Sequence, residues 1–160
     1  MINKIPCIID TDPGVDDAFA ILYAAKHPKL DLLAITTVFG NVGLEYTSRN
    51  AQLLAGYISK PIPVGLGHKQ ALVVRKDDAG VTHGSDGFGG RYETYKDNAS
   101  TRPLHPNSVQ LLKETLLSSS EPVVLFPIGP LTNIASLLLA YPELKPRIRC
   151  ISLMGGAFHH

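Results

Sequence analysis

The 160 residues suffice for one domain with a sizeable core, and 44% apolar against 18% charged residues is ordinary globular composition, which excludes a disordered or membrane-embedded chain. The formal net charge of +1, with no basic block, gives no electrostatic reason to expect nucleic acid or an anionic membrane as a partner. Met1 is followed by Ile-Asn-Lys-Ile-Pro rather than a signal peptide, and no stretch approaches the ~18 consecutive apolar residues of a membrane span, so the expected location is cytoplasmic.

A short apolar run ending at about Ile9 reads as a buried strand. It leads into Asp10-Thr11-Asp12, whose acids are spaced i, i+2 and so leave the same face of an extended chain. Pro13-Gly14 turns the chain, and Asp16 opens a helical pattern that runs to His27 and stops at Pro28. Leu32 to Val38 is a second β-branched strand, ending at Phe39-Gly40-Asn41. A helix is predicted from Glu45 to about Ile58, with Ala51, Leu54, Ala55 and Ile58 on one face, and Ile62-Pro63-Val64 is a short third strand. From Gly65 to Pro106 only Ala71-Leu72-Val73-Val74 interrupts an irregular stretch, and loops of this length are functional more often than decorative.

Asn107 or Ser108 can cap a helix running to about Ser119. Val123 to Ile128 is a fourth strand, turned by Gly129-Pro130. Thr132-Asn133 leads into a helix from Ile134 to Ala140, with Asn133 assigned to starting it, and Pro142 ends it. Ile148 to Met154 is a fifth strand, followed by Gly155-Gly156. Cys7 and Cys150 each lie inside an apolar run and read as small buried residues in a reducing compartment. Strands alternating with amphipathic helices argue for an α/β fold: an open, mostly parallel, Rossmann-like sheet with helices on both faces, in a single domain over residues 1–160. Ligands of such sheets bind beyond the carboxyl ends of the strands, where Asp12, Asn41, Gly129 and Gly155-Gly156 fall.

Asp10, Asp12, Asp16 and Asp17 put four carboxylates on one strand-turn-helix corner. Like charges this close repel, and burial raises the cost, so either they face open water or a cation holds them together. Turns and helix starts favour single acids, but four in eight residues exceeds that need. Asp12 from the strand end and Asp17 from the helix start can reach one hard divalent cation from two sides. Asp10 can brace one of them from behind, and Asp16 can face a substrate. An EF-hand fails on spacing, because Val15 stands where its glycine belongs.

The run Asp10-Thr11-Asp12-Pro13-Gly14-Val15-Asp16-Asp17-Ala18 resembles the N-terminal motif of the inosine-uridine nucleoside hydrolase family. Further matches follow in order at Ile35 to Asn41, Thr47-Ser48-Arg49-Asn50-Ala51, Val64-Gly65, His83-Gly84-Ser85-Asp86-Gly87, Gly129 to Ala135 and Leu153 to Ala157. The resemblance implies a calcium-dependent enzyme that hydrolyses the N-glycosidic bond of a ribonucleoside to ribose and free base, and that is a homo-oligomer in the full-length family. Position by position, it implies that Asp12 touches calcium and is the general base, that Asp17 is the bidentate calcium ligand, and that Ile128 lends the ion a backbone carbonyl. Asp16 would hydrogen-bond the ribose hydroxyls, Asn41 would lie in the pocket wall, and His83 would sit in a mobile loop that closes over the nucleoside. An oxocarbenium-like transition state suits such a carboxylate-rich pocket.

Family members continue from the fifth strand into a segment rich in ribose-binding Asn and Glu, and later supply another calcium-binding Asp with a neighbouring His; this chain stops at Ala157-Phe158-His159-His160. The expectation is therefore a weakly active or inactive polypeptide with an uncovered sheet edge or face that favours self-association. One alternative is a non-catalytic remnant that binds calcium or a partner subunit. The other is a phosphatase of the haloacid-dehalogenase type, which also places Asp-x-Asp after its first strand, although Pro13-Gly14-Val15-Asp16-Asp17 is the wrong continuation for it.

Overall fold

Five strands, β1 (Ile5–Thr11), β2 (Leu30–Thr37), β3 (Val64–Gly65), β4 (Val123–Pro127) and β5 (Ile148–Ile151), form one sheet in the order β3-β2-β1-β4-β5. Every neighbouring pair is parallel, as expected from the alternation of strands and helices. The computed structural model describes residues 4–73 and 80–156; Val74 of the apolar run and the closing Ala157-Phe158-His159-His160 lie outside the described residues.

Alternation along β1 explains the layers. Cys7 and Ile9 face one side, where they pack with Ile21 and Ala24 of α1 (Val15–Lys26) and Ala51 and Leu54 of α2 (Leu44–Gly56). Among the described residues of the long irregular stretch lie two single-turn helices, α3 (Gly80–His83) and α4 (Tyr92–Tyr95), and a 3₁₀ helix, Lys96–Asn98. Ile8 faces the opposite side, against Leu111, Leu112 and Leu116 of α5 (Ser108–Ser118) and Ile134 and Leu137 of α6 (Thr132–Ala140). The Asn107 side chain accepts a hydrogen bond from Gln110 N at 3.0 Å, which caps α5 as its sequence suggested.

The chain moves one way across the sheet from β1 to β3 and the other way from β1 to β5. A crevice between β1 and β4 follows at their carboxyl ends, and this is where parallel sheets bind ligands. Two expectations need correction. The fifth strand, expected to run from Ile148 to Met154, ends at Ile151, and a 3₁₀ helix, Pro142–Arg147, precedes it and buries Leu144. Cys7 is buried but Cys150 is exposed: among the described residues β5 pairs only with β4, and none of its four residues is buried. Among the described residues no helix is long and apolar enough to cross a membrane.

Leu112 is completely buried, whereas Leu139 on α6 is 76% exposed. Leu112→Ala is expected to lower the unfolding free energy by about 2–5 kcal/mol, and Leu139→Ala to change it by less than about 0.5 kcal/mol, in urea titrations followed by circular dichroism.

Candidate active site

The carboxyl end of β1, at the centre of the sheet, delivers Asp10, Thr11 and Asp12 to the crevice. Asp17 stands in the first turn of α1 and folds back over the preceding turn. Its Oδ2 accepts a hydrogen bond from Gly14 N at 2.9 Å, and its Oδ1 accepts one from Thr11 Oγ1 at 2.7 Å. The bond from Gly14 satisfies a backbone N–H at the helix start, the bond from Thr11 a buried hydroxyl, and together they place a carboxylate at the positive end of the helix dipole.

Asn41, at the turn after β2, joins the two acids. Its backbone N–H donates to Asp12 Oδ2 at 2.7 Å, and its side-chain amide donates to the Asp12 carbonyl at 2.9 Å and to Asp17 Oδ2 at 3.2 Å. The Asp12 carboxylate is packed between two glycines. A Cβ at Gly40 would collide with Asp12 Oδ2, and one at Gly129 would lie 2.5 Å from Oδ1. Asp12 and Asp17 are each 6% exposed. Burial pushes the Asp12 carboxyl up to about 7, helped by the negative charge of Asp17 and opposed by the Asn41 N–H.

Asp10 turns away from this pair. Its Oδ1 accepts from Thr36 Oγ1 at 2.6 Å and from the Asn133 amide at 2.7 Å, while its Oδ2 is buried with no hydrogen-bond partner among the described residues. Burial raises this carboxyl to about 6 against the pull of the Asn133 and Thr36 bonds. Its hydrogen bonds therefore lead to β2 and α6, not to Asp12 or Asp17. The Asp10 carbonyl also accepts from Ile128 N at 2.8 Å, which fixes the β4–α6 turn beside β1.

Asp12, Asp16, Asp17, Asn41, His83 and Ile128 all line one cavity of about 940 Å³. The Asp16 side chain is 76% exposed, with Oδ1 3.9 Å from His83 Nδ1. The His83 ring covers Gly14, where a Cβ would lie 2.8 Å from its Nδ1. Oxygen dominates the side-chain donors at the corner, the Asp12 and Asp17 carboxylates, and Ile128 lines the same cavity with a carbonyl that accepts no backbone hydrogen bond among the described residues. That chemistry suits a hard cation. Three His, Cys, Asp or Glu side chains do not gather into a metal-holding group among the described residues, so protein carboxylates alone do not complete a coordination shell.

Sequence reasoning missed the supports. Asn133 does more than start α6: its amide nitrogen also donates to Thr37 O at 2.9 Å, and its oxygen accepts from His68 N at 3.1 Å and lies 2.8 Å from His68 Nδ1. Thr36-Thr37 carried the available signal, since two polar residues close an otherwise apolar strand, and their parallel register sets them beside Asp10 and Thr11.

Both raised carboxyls give a pH dependence. The folded chain holds protons on Asp12 and Asp10 at pH values where the unfolded chain, with ordinary values near 3.8, has released them. Stability without divalent cations is therefore expected to fall as pH rises from about 4 to about 7, by roughly 2–4 kcal/mol for Asp12, and Asp12→Asn is expected to flatten that slope in urea titrations across the range.

Comparison with known proteins finds relatives of one family. The non-specific ribonucleoside hydrolase RihC of Shigella flexneri serotype 5b is 44% identical over 154 residues, covering 96% of this chain and 50% of that protein. A plant nucleoside hydrolase, PpNRh1, superimposes with a TM-score of 0.85 at 33% identity, over 96% of this chain and 48% of its own. The purine-preferring ribonucleoside hydrolase from Gardnerella vaginalis gives a TM-score of 0.81 at 33% identity, over 95% and 49% respectively. The chain thus spans about half the length of the curated relatives it matches. The family model for inosine-uridine preferring nucleoside hydrolase matches residues 7–160, which removes the phosphatase alternative. This chain belongs to the inosine-uridine preferring nucleoside hydrolase family.

Proposed function

We propose that this chain carries the acid corner of a ribonucleoside hydrolase in which Asp12 is the general base. Asp12 takes a proton from the water that attacks the anomeric carbon of the sugar. The carbon–nitrogen bond breaks as the new carbon–oxygen bond forms, its electron pair leaves with the base, and ribose is the other product. The observation that supports this most directly is the buried Asp12–Asp17 pair, tied by Asn41 and opening on a cavity of about 940 Å³, ample for a nucleoside.

In this reading Asp12, Asp17 and the Ile128 carbonyl would hold calcium, a hard cation that suits their oxygens. Bound there, it would supply charge that offsets two neighbouring carboxylates and would make water at the site more acidic. Asp16, exposed at the cavity wall, accepts hydrogen bonds from the ribose hydroxyls, and His83 beside it covers the sugar side of the pocket. Carboxylates around the ring favour the positive charge that develops on it. Cys7 and Cys150 are free thiols, in keeping with a reducing compartment, and the cytoplasm is the proposed location.

Calorimetric titration with calcium chloride, combined with a reducing-sugar assay on inosine and uridine, tests this reading. Saturable calcium binding is expected in the wild-type chain and is lost in Asp17→Ala, and the weak ribose release expected of this chain falls below detection in Asp12→Ala, since general-base help is worth about 10²–10⁴-fold. Calcium binding that survives Asp17→Ala, or ribose release indifferent to Asp12→Ala, overturns it.

A further inference from the structure

The motif Thr47-Ser48-Arg49-Asn50-Ala51 on α2 has no part in the site so far, yet Asn50 is fully buried and touches two segments at once. Its side-chain nitrogen donates to the carbonyl of Pro13, 3.2 Å away in the acid-bearing turn, and to the carbonyl of Asp86, 2.8 Å away in the loop after His83. Its Oδ1 is buried without a partner among the described residues, so the contribution of this amide is donation.

The loop it grips is built to be held as a block. The Asp86 carboxylate accepts from the backbone N–H groups of Phe88 and Gly90 at 2.8 Å and of Tyr92 at 3.1 Å. Gly89 N donates to the His83 carbonyl at 2.8 Å, which closes the loop onto the histidine. Gly87, at φ +79°, lies directly against Asn50, and a Cβ there would sit 2.8 Å from the Asn50 amide nitrogen. Arg49 then clasps the far end. Its guanidinium carbon is 4.5 Å from the Tyr46 ring centroid and 4.0 Å from that of Tyr92, so the cation lies between a ring on its own helix and one on the loop.

We propose that Asn50 is a positioning residue for His83, with the Arg49–Tyr92 stack as its second clasp: one buried amide ties the acid-bearing turn to the loop that carries the histidine. The separation between His83 and the carboxylates is then set by α2 and not by the loop alone. What His83 faces in the cavity rests on the nucleoside hydrolase reading; the positioning itself can be read without turnover.

Hydrogen–deuterium exchange with mass spectrometry, and NMR of histidine rings, on the full chain decide the matter. Asn50→Ala is expected to speed exchange over Gly87 to Tyr92 about tenfold while β1 keeps its protection, as loss of a local hydrogen bond requires. The His83 Cε1–H resonance is expected to move while those of His27 and His105 stay. Tyr92→Leu, a change at a half-buried position, is expected to loosen the same segment to a smaller degree, and it carries the test if Asn50→Ala does not fold. Unchanged exchange over Gly87 to Tyr92, or an equal loss of protection in β1, overturns the proposal. Failure of the hydrolase reading has a different signature: ribose release that ignores Asp12 in otherwise unaltered protein.

Discussion

Two carboxylates share one buried turn, and the bonds that Asn41 makes to both of them are what the corner depends on. Asp12 and Asp17 each lose most of their water, so their repulsion is poorly screened. Asn41 replaces part of that water, its backbone N–H donating to the Asp12 carboxylate and its amide to that of Asp17, while a second amide bond to the Asp12 carbonyl fixes the turn. Thr11 and Gly14 supply most of the remainder to Asp17. Charge that would otherwise be expelled from the fold is thereby retained at the sheet's carboxyl edge.

Holding Asn41, Ile128 and Asp12 together requires three strand ends to stay in register. The parallel pairing of β1 with β2 and with β4 supplies the first level of that control. Asp10 and Asn133 supply the second, because each bonds to side chain or backbone from more than one strand end. A buried amide with its hydrogen-bonding capacity used on all sides tolerates little displacement, since any shift leaves a polar group unpaired away from water. The acids that face the cavity are thus framed by polar residues that never reach it.

Much of this was legible from residue order. The alternation of apolar strands with amphipathic helices led to the parallel sheet, because only burial on both faces accounts for runs such as those ending at Ile9 and Val38. The clustering of four acids marked the corner, since neither a turn nor a cap uses so many. What stayed hidden depends on distance along the chain. Asn133 reaches Asp10 across 123 positions, and nothing local distinguishes it from an ordinary first-turn asparagine. Cys150 sits in a run that also holds Arg149 and Ser152, and it is exposed on the strand at the end of the sheet order, a place that local sequence does not reveal. The partners of Asp10 were invisible for the same reason, as register between strands is a property of the folded sheet.

The pinch of Gly40 and Gly129 on Asp12 reaches further than the resting geometry. A Cβ at Gly40 would strike Oδ2 and one at Gly129 would crowd Oδ1, so any side chain at either glycine displaces the carboxylate. The aim of the acid is therefore owed to two residues that carry no side chain of their own.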